Sequence, residues 1–362
     1  MGVKTRVQNE TRCASPDPRA RESGGVMTRR RSATLQDVAS SAGVSRTTAS
    51  YILNGRADEM RIAPSTVERV RAVVAKLDYR PNRTARSLRT RRTATVGLIS
   101  DQIAGQQYGS SMLTGASVAA RELQHVVVMG ESGGDPELER LLIEEMRERD
   151  VDGVVYATRT AQTIRLPEGL RAMRAVLLNC EDPDVRLPSV VPDDESGGRA
   201  AAATLLAAGI EDVWVMGEDP VPHATAGPRR MAGIRAELGT RGLDIAGVVP
   251  CDWSVTEGFA ATSRWLAGGG RAGGLICMND RLAMGAYQAL AEAGLRIPED
   301  ISVVSFDGSA LASWLRPVLT SVELPFHDLG ALAVRRLLDL EDADGTVLLP
   351  MAVRVGGSVR GG

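Results

Sequence analysis

Apolar residues recur every three to four positions in three consecutive stretches near the start of the chain. The three stripes are Leu35, Val38, Ala39 and Ala42, then Ala49, Ile52 and Leu53, then Val67, Val70, Val74 and Leu77. This spacing predicts three amphipathic helices. Gly43 separates the first two and permits a tight turn, while Pro64 suits the start of the third. Helix, turn and short helix indicate a helix-turn-helix unit.

Hydroxyl side chains precede the first two helices. Thr34 stands before the first stripe with Asp37 three residues later, as in a capping box, and Ser45 stands before the second. The residues at the exposed start of the second helix are Ser45, Arg46, Thr47, Thr48 and Ser50. Arginine bonds guanine edges and hydroxyls bond phosphates or bases, so this surface predicts DNA binding. The alternative is a three-helix bundle without a ligand.

After Thr93 the pattern changes to short apolar runs that alternate with helical stretches. Strands are predicted at 95–99, 125–129, 153–156, 175–178, 213–216, 274–278 and 302–306, with a last strand at 348–355. Helices are predicted at 115–122, 137–148, 198–208, 230–238 and 282–293. Such alternation indicates parallel sheets with helices on both faces. The predicted fold is an all-α three-helix head followed by an α/β core of two doubly wound lobes.

Charge is distributed unevenly along the chain. Between Met27 and Thr93 there are fifteen Lys and Arg against five Asp and Glu, whereas the stretch from Ala94 to Gly362 has twenty-three against thirty-seven. A basic head on an acidic body favours a polyanionic partner over the alternative of a basic solvated surface. Hydrophobic residues make up 43% of the chain, and no apolar run approaches the roughly 20 residues that cross a bilayer. The sequence therefore predicts no membrane partner.

Several classes of site are not indicated. Cys13, Cys180, Cys251 and Cys277 lie far apart, so a metal ribbon or redox motif is not expected and a reducing, cytoplasmic location fits best. The histidines lack metal spacing, and no nucleophile elbow occurs. The run 268–273 fits GxGxxG but precedes a strand instead of following one. We therefore predict no catalytic residue, metal or cofactor.

The stretch 34–88 resembles the LacI family of bacterial transcription regulators. The matching runs are 34–39, 42–45, 48–50, 53–55, 79–82 and 85–88. The resemblance implies DNA contacts at Thr34, Tyr51 and Asn54, besides the residues already named. Tyr51 stands where an arginine is common, and the loop 56–63 is longer than usual.

The resemblance also implies a hinge helix in the linker at 81–93. Asn82 would cap this helix, Ala85 would lie within it, and Leu88 would be the wedge that opens a base step in the minor groove. An eight-residue helix is unstable alone, so it should form only with DNA and a twin segment. The alternative is that Leu88 packs on the core.

The body is similar to the family's core, which resembles a periplasmic sugar-binding protein. The implied ligand-binding residues lie at strand ends or in facing loops: Asp101, Tyr108, Arg230, Trp253, Asn279 and Asp307. Carboxylates, an amide and a guanidinium bond sugar hydroxyls, while aromatic faces cover the C–H side of the ring. For each residue the alternative is an ordinary structural role, such as a helix cap, a core position or a surface ion pair.

Four parts of the chain are predicted. They are a disordered tail at 1–28, the helix-turn-helix domain at 29–80, the hinge helix and linker at 81–93, and the ligand-binding and dimerisation core at 94–358. The N-lobe should comprise about 94–193 and 323–343, and the C-lobe about 194–322 and 344–358. Met27 is a plausible initiator, because the preceding residues have neither apolar periodicity nor a signal-peptide pattern.

We predict that the protein is a homodimeric repressor that binds palindromic double-stranded DNA. Its affinity for that DNA should be controlled by a small effector, which we expect to be a sugar. No leucine heptad follows the last strand, which favours a dimer over a tetramer. The first alternative is a solute-binding protein without a gene-regulatory role, which would leave the head unexplained. The second is a two-lobed enzyme, which would need a catalytic constellation.

Overall fold

The computed structural model describes residues 33–79, 92–103, 105, 109–217, 223–339 and 345–361. The chain divides into two compact units, Met1–Asn82 and Arg83–Gly362, which we describe separately as the head and the body. The predicted tail at 1–28 and most of the predicted linker lie outside the described residues. So do four residues with predicted roles: Asn82, Ala85, Leu88 and Tyr108.

The head has the three predicted helices, α1 Leu35–Ala42, α2 Arg46–Leu53 and α3 Pro64–Lys76. Thr34 and Asp37 form the predicted capping box, because each side chain accepts a hydrogen bond from the other residue's backbone N–H. Gly43 ends α1 in the left-handed region at φ 64°, and the Ser45 hydroxyl caps α2. These local predictions are confirmed.

The head's core consists of one buried face from each helix. Val38 and Ala42 of α1 meet Ile52 of α2 and Val70 of α3. Leu53, which was expected to face inward, is only half-buried. Eight other side chains pack around this core: Val44, Ala57, Ile62, Val67, Val73, Val74, Leu77 and Tyr79. The position of α2 therefore follows from the same apolar periodicity that predicted it.

The body's first lobe, the N-lobe, is a six-stranded parallel sheet in the order β2-β1-β3-β4-β5-β11. Its strands are β1 Thr95–Ser100, β2 Val126–Glu131, β3 Gly153–Thr163, β4 Ala175–Glu181, β5 Ser189–Pro192 and β11 Thr346–Leu349. Its helices are α4 Gly109–Glu122, α5 Pro136–Glu148 and α11 Phe326–Leu338. Apolar side chains on both faces of the strands form two buried clusters.

The C-lobe repeats this architecture in the order β7-β6-β8-β9-β10-β12, and only β12 runs antiparallel. Its strands are β6 Val213–Met216, β7 Gly247–Val249, β8 Gly274–Cys277, β9 Ser302–Asp307, β10 Thr320–Glu323 and β12 Val353–Arg354. Its helices are α6 Asp194–Ala207, α7 Ala226–Gly239, α8 Val255–Ala267, α9 Asp280–Glu292 and α10 Ala310–Trp314. The two doubly wound lobes thus agree with the predicted fold class.

The chain passes between the lobes three times, after β5, after β10 and after β11. The third passage corrects the predicted boundary, because 344–358 was assigned wholly to the C-lobe and one strand was expected at 348–355. Instead β11 pairs with β5 in the N-lobe and β12 pairs with β10 in the C-lobe. A run of alternating apolar residues predicts a strand, but it carries no signal for the sheet that the strand joins.

Helices α4 and α11 approach so closely that only glycine fits at the contact. A Cβ on Gly115 would lie 1.9 Å from the His327 carbonyl oxygen, and one on Gly330 would lie 2.0 Å from the Met112 carbonyl oxygen. This reciprocal contact holds α11 against the N-lobe, although α11 follows the C-lobe strand β10 in the chain. No helix among the described residues has both the length and the apolar character that a membrane span requires.

Candidate DNA-binding and effector sites

The start of α2 presents the predicted DNA-binding side chains to solvent. Ser45, Arg46 and Thr47 are exposed, and Thr48 is half-buried. The Ser45 hydroxyl accepts the Thr48 N–H at 3.0 Å and lies 2.8 Å from the Thr48 hydroxyl. Ser45 and Thr48 are therefore partly committed to the helix cap, and Arg46 and Thr47 project from it.

The other predicted DNA-contact residues of the head have local partners. The Thr34 hydroxyl donates to Asp37 at 2.8 Å, and the Asn54 amide donates to the Ser50 carbonyl at 2.7 Å and lies 3.2 Å from the Ser50 hydroxyl. The Arg56 guanidinium lies 5.4 Å from the centre of the Tyr51 ring. These contacts order the start of α1 and the end of α2.

In the body, topology gathers the predicted ligand residues at strand carboxyl ends. Strand order reverses direction between β1 and β3 in the N-lobe and between β6 and β8 in the C-lobe, and ligands of open α/β sheets bind at such points. Asp101 follows β1, Asn279 lies just beyond β8, and Asp307 is the last residue of β9. Each of the two sheets thus places its predicted ligand residues at the carboxyl ends of its strands.

Arg230 differs from its predicted setting. It was expected to begin a helix and face the cleft, but it is the fifth residue of α7 and is only 2% exposed. Its Nε donates to Asp194 at 2.8 Å and its Nη1 donates to the Met278 carbonyl at 2.6 Å. The guanidinium also lies 4.4 Å from the centre of the Phe306 ring and 5.3 Å from that of Trp253. A buried cation needs such compensation, because burial removes its hydration.

The Asn279 amide is likewise held by the protein. Its Oδ1 accepts the Leu282 N–H at 2.7 Å and caps α9, and its Nδ2 donates to the Trp253 carbonyl at 3.3 Å. Trp253 is half-buried, and its indole N–H is buried without a hydrogen-bond partner in the described part of the chain. Arg230 and Asn279 thus both contact Trp253, and the three residues form one cluster in the C-lobe.

Asp307 ends β9 with a left-handed backbone, φ 108°, and is 9% exposed. Two residues close to it in the chain, Ser305 and Ser309, bind the carboxylate of Asp280, which sequence reasoning did not single out. Asp280 is fully buried and accepts hydrogen bonds from the hydroxyls of Ser305, Ser309 and Ser321 and from the Ser309 N–H. This network joins the start of α9 to β9, β10 and the turn before α10.

The N-lobe contributes Asp101 and a residue that the sequence analysis missed. Asp101 Oδ1 accepts the backbone N–H groups of Gln102 and Arg159 at 2.7 and 2.8 Å. Asn179, two residues before the end of β4 and directly after the predicted strand 175–178, is 2% exposed with φ 62°, and its Nδ2 donates to the Thr158 carbonyl at 3.0 Å. Its Oδ1 is buried without a partner among the described residues. A polar residue that ends an apolar strand was the available signal, as it was for Asp307.

The described residues bear on the predictions for metal ligands and reactive cysteines. No cluster there of three or more His, Cys, Asp or Glu could hold a metal ion. Burial raises the pKa of Cys180 to about 12 and that of Cys251 to about 11, and it also raises the pKa of Cys277. These cysteines therefore remain protonated thiols near neutral pH and are poor nucleophiles.

Comparison with known proteins agrees with this division into head and body. Residues 34–82 match the family described as bacterial regulatory proteins, lacI family, and residues 202–359 match the periplasmic binding protein-like domain. The HTH-type transcriptional regulator RegA of Clostridium saccharobutylicum is 31% identical over 310 residues, covering 84% of this chain and 92% of RegA. The chain belongs to the LacI family. Like its relatives in this family, it is a DNA-binding transcriptional regulator, so this prediction is confirmed over the solute-binding alternative.

Other LacI-family members are similar over most of their length. Catabolite control protein A of Priestia megaterium is 28% identical over 324 residues, covering 87% of this chain and 95% of that protein. The structure of the lac repressor dimer bound to operator and the anti-inducer ONPF has a TM-score of 0.75 at 27% identity, covering 91% of this chain and 99% of that one. A transcriptional regulator CelR–cellobiose complex has a TM-score of 0.62 at 26% identity, covering 90% and 99%. These relatives are regulators and not enzymes.

Proposed function

We propose that this protein is a dimeric repressor whose affinity for a palindromic operator is set by a sugar bound between the two lobes of the body. The observation that carries the proposal is the combination in one chain of an exposed recognition helix, α2, with a two-lobed body in which Asp101, Asn279 and Asp307 lie at strand carboxyl ends. The similarity to a lac repressor dimer bound to operator supports the dimer and the DNA target. Because a bacterial operator lies in the cytoplasm, the protein would act there.

In the DNA-binding half, Arg46 and Thr47 would contact base edges, because they project from the start of α2. Six residues would position the head on the phosphate backbone or adjoining bases: Thr34, Ser45, Thr48, Ser50, Tyr51 and Asn54. In the linker, Asn82, Ala85 and Leu88 would form the hinge helix, with Leu88 inserted in the minor groove.

In the ligand-binding half, Asp307 and Asp101 would accept hydrogen bonds from sugar hydroxyls, and Trp253 and Tyr108 would cover apolar faces of the ring. Arg230 and Asn279 would contribute less directly than expected, because Asp194, Met278 and Leu282 already bind most of their polar atoms. The cellobiose complex of the related regulator CelR supports a sugar as the ligand class. Binding would shift the population between two lobe arrangements and so move the linkers of the dimer.

The test begins by selecting DNA duplexes from a randomised pool with the wild-type protein and measuring affinity by fluorescence anisotropy. A panel of mono- and disaccharides is then screened by thermal shift, with and without the selected duplex. A palindromic consensus, and a sugar that both raises the melting temperature and changes the DNA affinity, would support the proposal. Failure to enrich any sequence would refute the DNA-binding role, and sugars that leave DNA affinity unchanged would refute effector control.

A further inference from the structure

The two lobes touch at a place where the chain does not cross between them. The last residues of β3, 161–163, resume pairing with β4 after an irregularity in register, and they also run antiparallel to 223–225, which precede α7 of the C-lobe. The Thr163 N–H donates to the His223 carbonyl at 2.9 Å, and the Thr225 N–H donates to the Ala161 carbonyl at 2.8 Å. A short piece of sheet thus joins the start of α7 to the opposite lobe.

An ion pair reinforces this contact one turn further along α7. Arg229 Nη2 lies 2.5 Å from Glu181 Oε2 at the end of β4, and Glu181 Oε1 accepts the Thr346 hydroxyl of β11 at 3.1 Å. Glu181 is therefore positioned by Thr346 of its own lobe and binds Arg229 of the other lobe. Both side chains are about two-thirds or more buried, at 34% and 21% exposure, so solvent screens this pair less than the fully exposed pairs of the surface.

The helix that carries Arg229 also carries Arg230, whose side chain goes the other way. Arg230 binds Asp194, the first residue of α6, directly after the chain's first passage from the N-lobe to the C-lobe. Arg229 thus connects α7 to Glu181 in the N-lobe, and Arg230 connects α7 to Asp194, where the chain enters the C-lobe. Because these hydrogen bonds are directional and short, a rotation that separates α7 from the ends of β3 and β4 would break the contacts of Arg229, Thr163 and Thr225.

We propose that the pair Arg229–Glu181 and the segment pair 161–163 and 223–225 form an interlobe clamp that sets the resting population of lobe arrangements. The inference rests on the proposed function, since it assigns the clamp a part in the lobe rotation that controls DNA binding. Arg229 and Glu181 are then positioning residues that need not touch the effector. An effector that binds the clamped lobe arrangement more tightly stabilises the clamp contacts, and an effector that binds the other arrangement more tightly breaks them.

Hydrogen–deuterium exchange, followed by mass spectrometry of peptides that cover 160–164 and 223–227, tests the clamp in the full-length protein without any effector. The variants are Arg229→Gln, Glu181→Gln and the exchanged pair Arg229→Glu with Glu181→Arg. Arg140→Gln is the matched control, because it breaks ion pairs to Glu137 and Glu144 that lie within one helix. Both single variants should exchange these peptides at least fivefold faster, whereas the exchanged pair and the control should stay within twofold of wild type.

Affinity for a duplex selected from a randomised pool by the wild-type protein gives the second readout. It should change at least threefold in both single variants and return toward the wild-type value in the exchanged pair. Unchanged exchange in the single variants would refute the clamp. Faster exchange with DNA affinity within twofold of wild type would refute its control of the resting population. Failure of the wild type to select DNA would instead refute the proposed function, and the exchange data would still decide whether the clamp exists.

Discussion

At the scale of single residues, the arrangement of α2 separates side chains that build the head from side chains that are free to read DNA. Ser45 and Thr48 bind each other, and Asn54 binds Ser50, whereas Arg46 projects from the exposed start of the helix. Arg46 is also close enough to Tyr79 to act on the pKa of that phenol, which partial burial raises. A basic side chain at this place is suited to a guanine edge.

Replacing Arg46 by alanine should cost about 1–3 kcal/mol of operator binding and relax base preference at one position per half-site. Anisotropy titrations against the selected duplex and its single-base variants measure both effects. Arg71→Ala, which removes an equally exposed arginine from α3, is the matched control for loss of charge. Equal losses in both variants would show that charge alone, and not position, carries the effect.

Asp307 gives the corresponding test in the body. Asp307→Ala should leave operator affinity intact but cost the effector a charge-assisted hydrogen bond, on the order of 1.5–3 kcal/mol. Calorimetry with the sugar that emerges from the thermal-shift screen measures this loss. Asp101→Ala, at the end of β1 in the opposite lobe, should also weaken binding if both lobes contact the sugar. Wild-type affinity in both variants would place the pocket elsewhere.

At the scale of elements, close helix packing determines which lobe α11 joins. Gly115 and Gly330 each face a backbone carbonyl of the other helix at a distance that excludes a Cβ. A methyl group there must push the two helices apart, and the displaced side chains lose contacts throughout the N-lobe core.

Gly330→Ala should therefore lower the free energy of unfolding by about 1–3 kcal/mol, as expected for overpacking. Chemical denaturation followed by circular dichroism provides the measurement. Gly239→Ala is the control, because a Cβ at that helical position meets no atom within 4 Å. That substitution should be neutral or slightly stabilising, since alanine favours helices. Similar losses in both variants would contradict the packing argument.

At the scale of the whole molecule, one edge of the N-lobe sheet exposes apolar side chains. Val126 and Val128 on edge strand β2 are 48% and 37% exposed, and Leu123 before β2 and Leu138 and Leu141 of α5 are exposed as well. An unpaired apolar edge is a site of association unless it is covered. The proposed dimer supplies a second copy of the chain as the cover.

Val126→Lys should therefore weaken the dimer at least tenfold, with a proportional loss of operator affinity at low protein concentration. Analytical ultracentrifugation over a concentration series measures the dissociation constant. Leu348→Lys is the matched control, because Leu348 is 51% exposed on β11 at the opposite edge of the same sheet. A dimer that is weakened by Leu348→Lys and not by Val126→Lys would assign the interface to the other edge.

The sequence by itself determined the features that depend on neighbouring residues. Apolar spacing located α1, α2 and α3, and the Thr34 cap and the Gly43 turn follow from interactions between residues a few positions apart. The alternation of strands and helices likewise sufficed for two doubly wound lobes. The predicted element ends were less accurate: β3 runs to Thr163, seven residues beyond the predicted end, because Gln162 and Thr163 pair with β4 again after an irregularity in register.

Only the tertiary structure decided which distant groups meet. The sequence marked Arg230 as a ligand residue, but its pairing with Asp194, 36 positions away, and its stacking on Phe306 depend on how α6, α7 and β9 pack. The tertiary structure also decided the division of 344–358 between two sheets and the pair Arg229–Glu181. It likewise buried the Asn179 Oδ1 without a hydrogen-bond partner among the described residues. Periodicity records which face of an element is buried. It carries no information about the partner on that face, because the partner is chosen by the packing of the whole lobe.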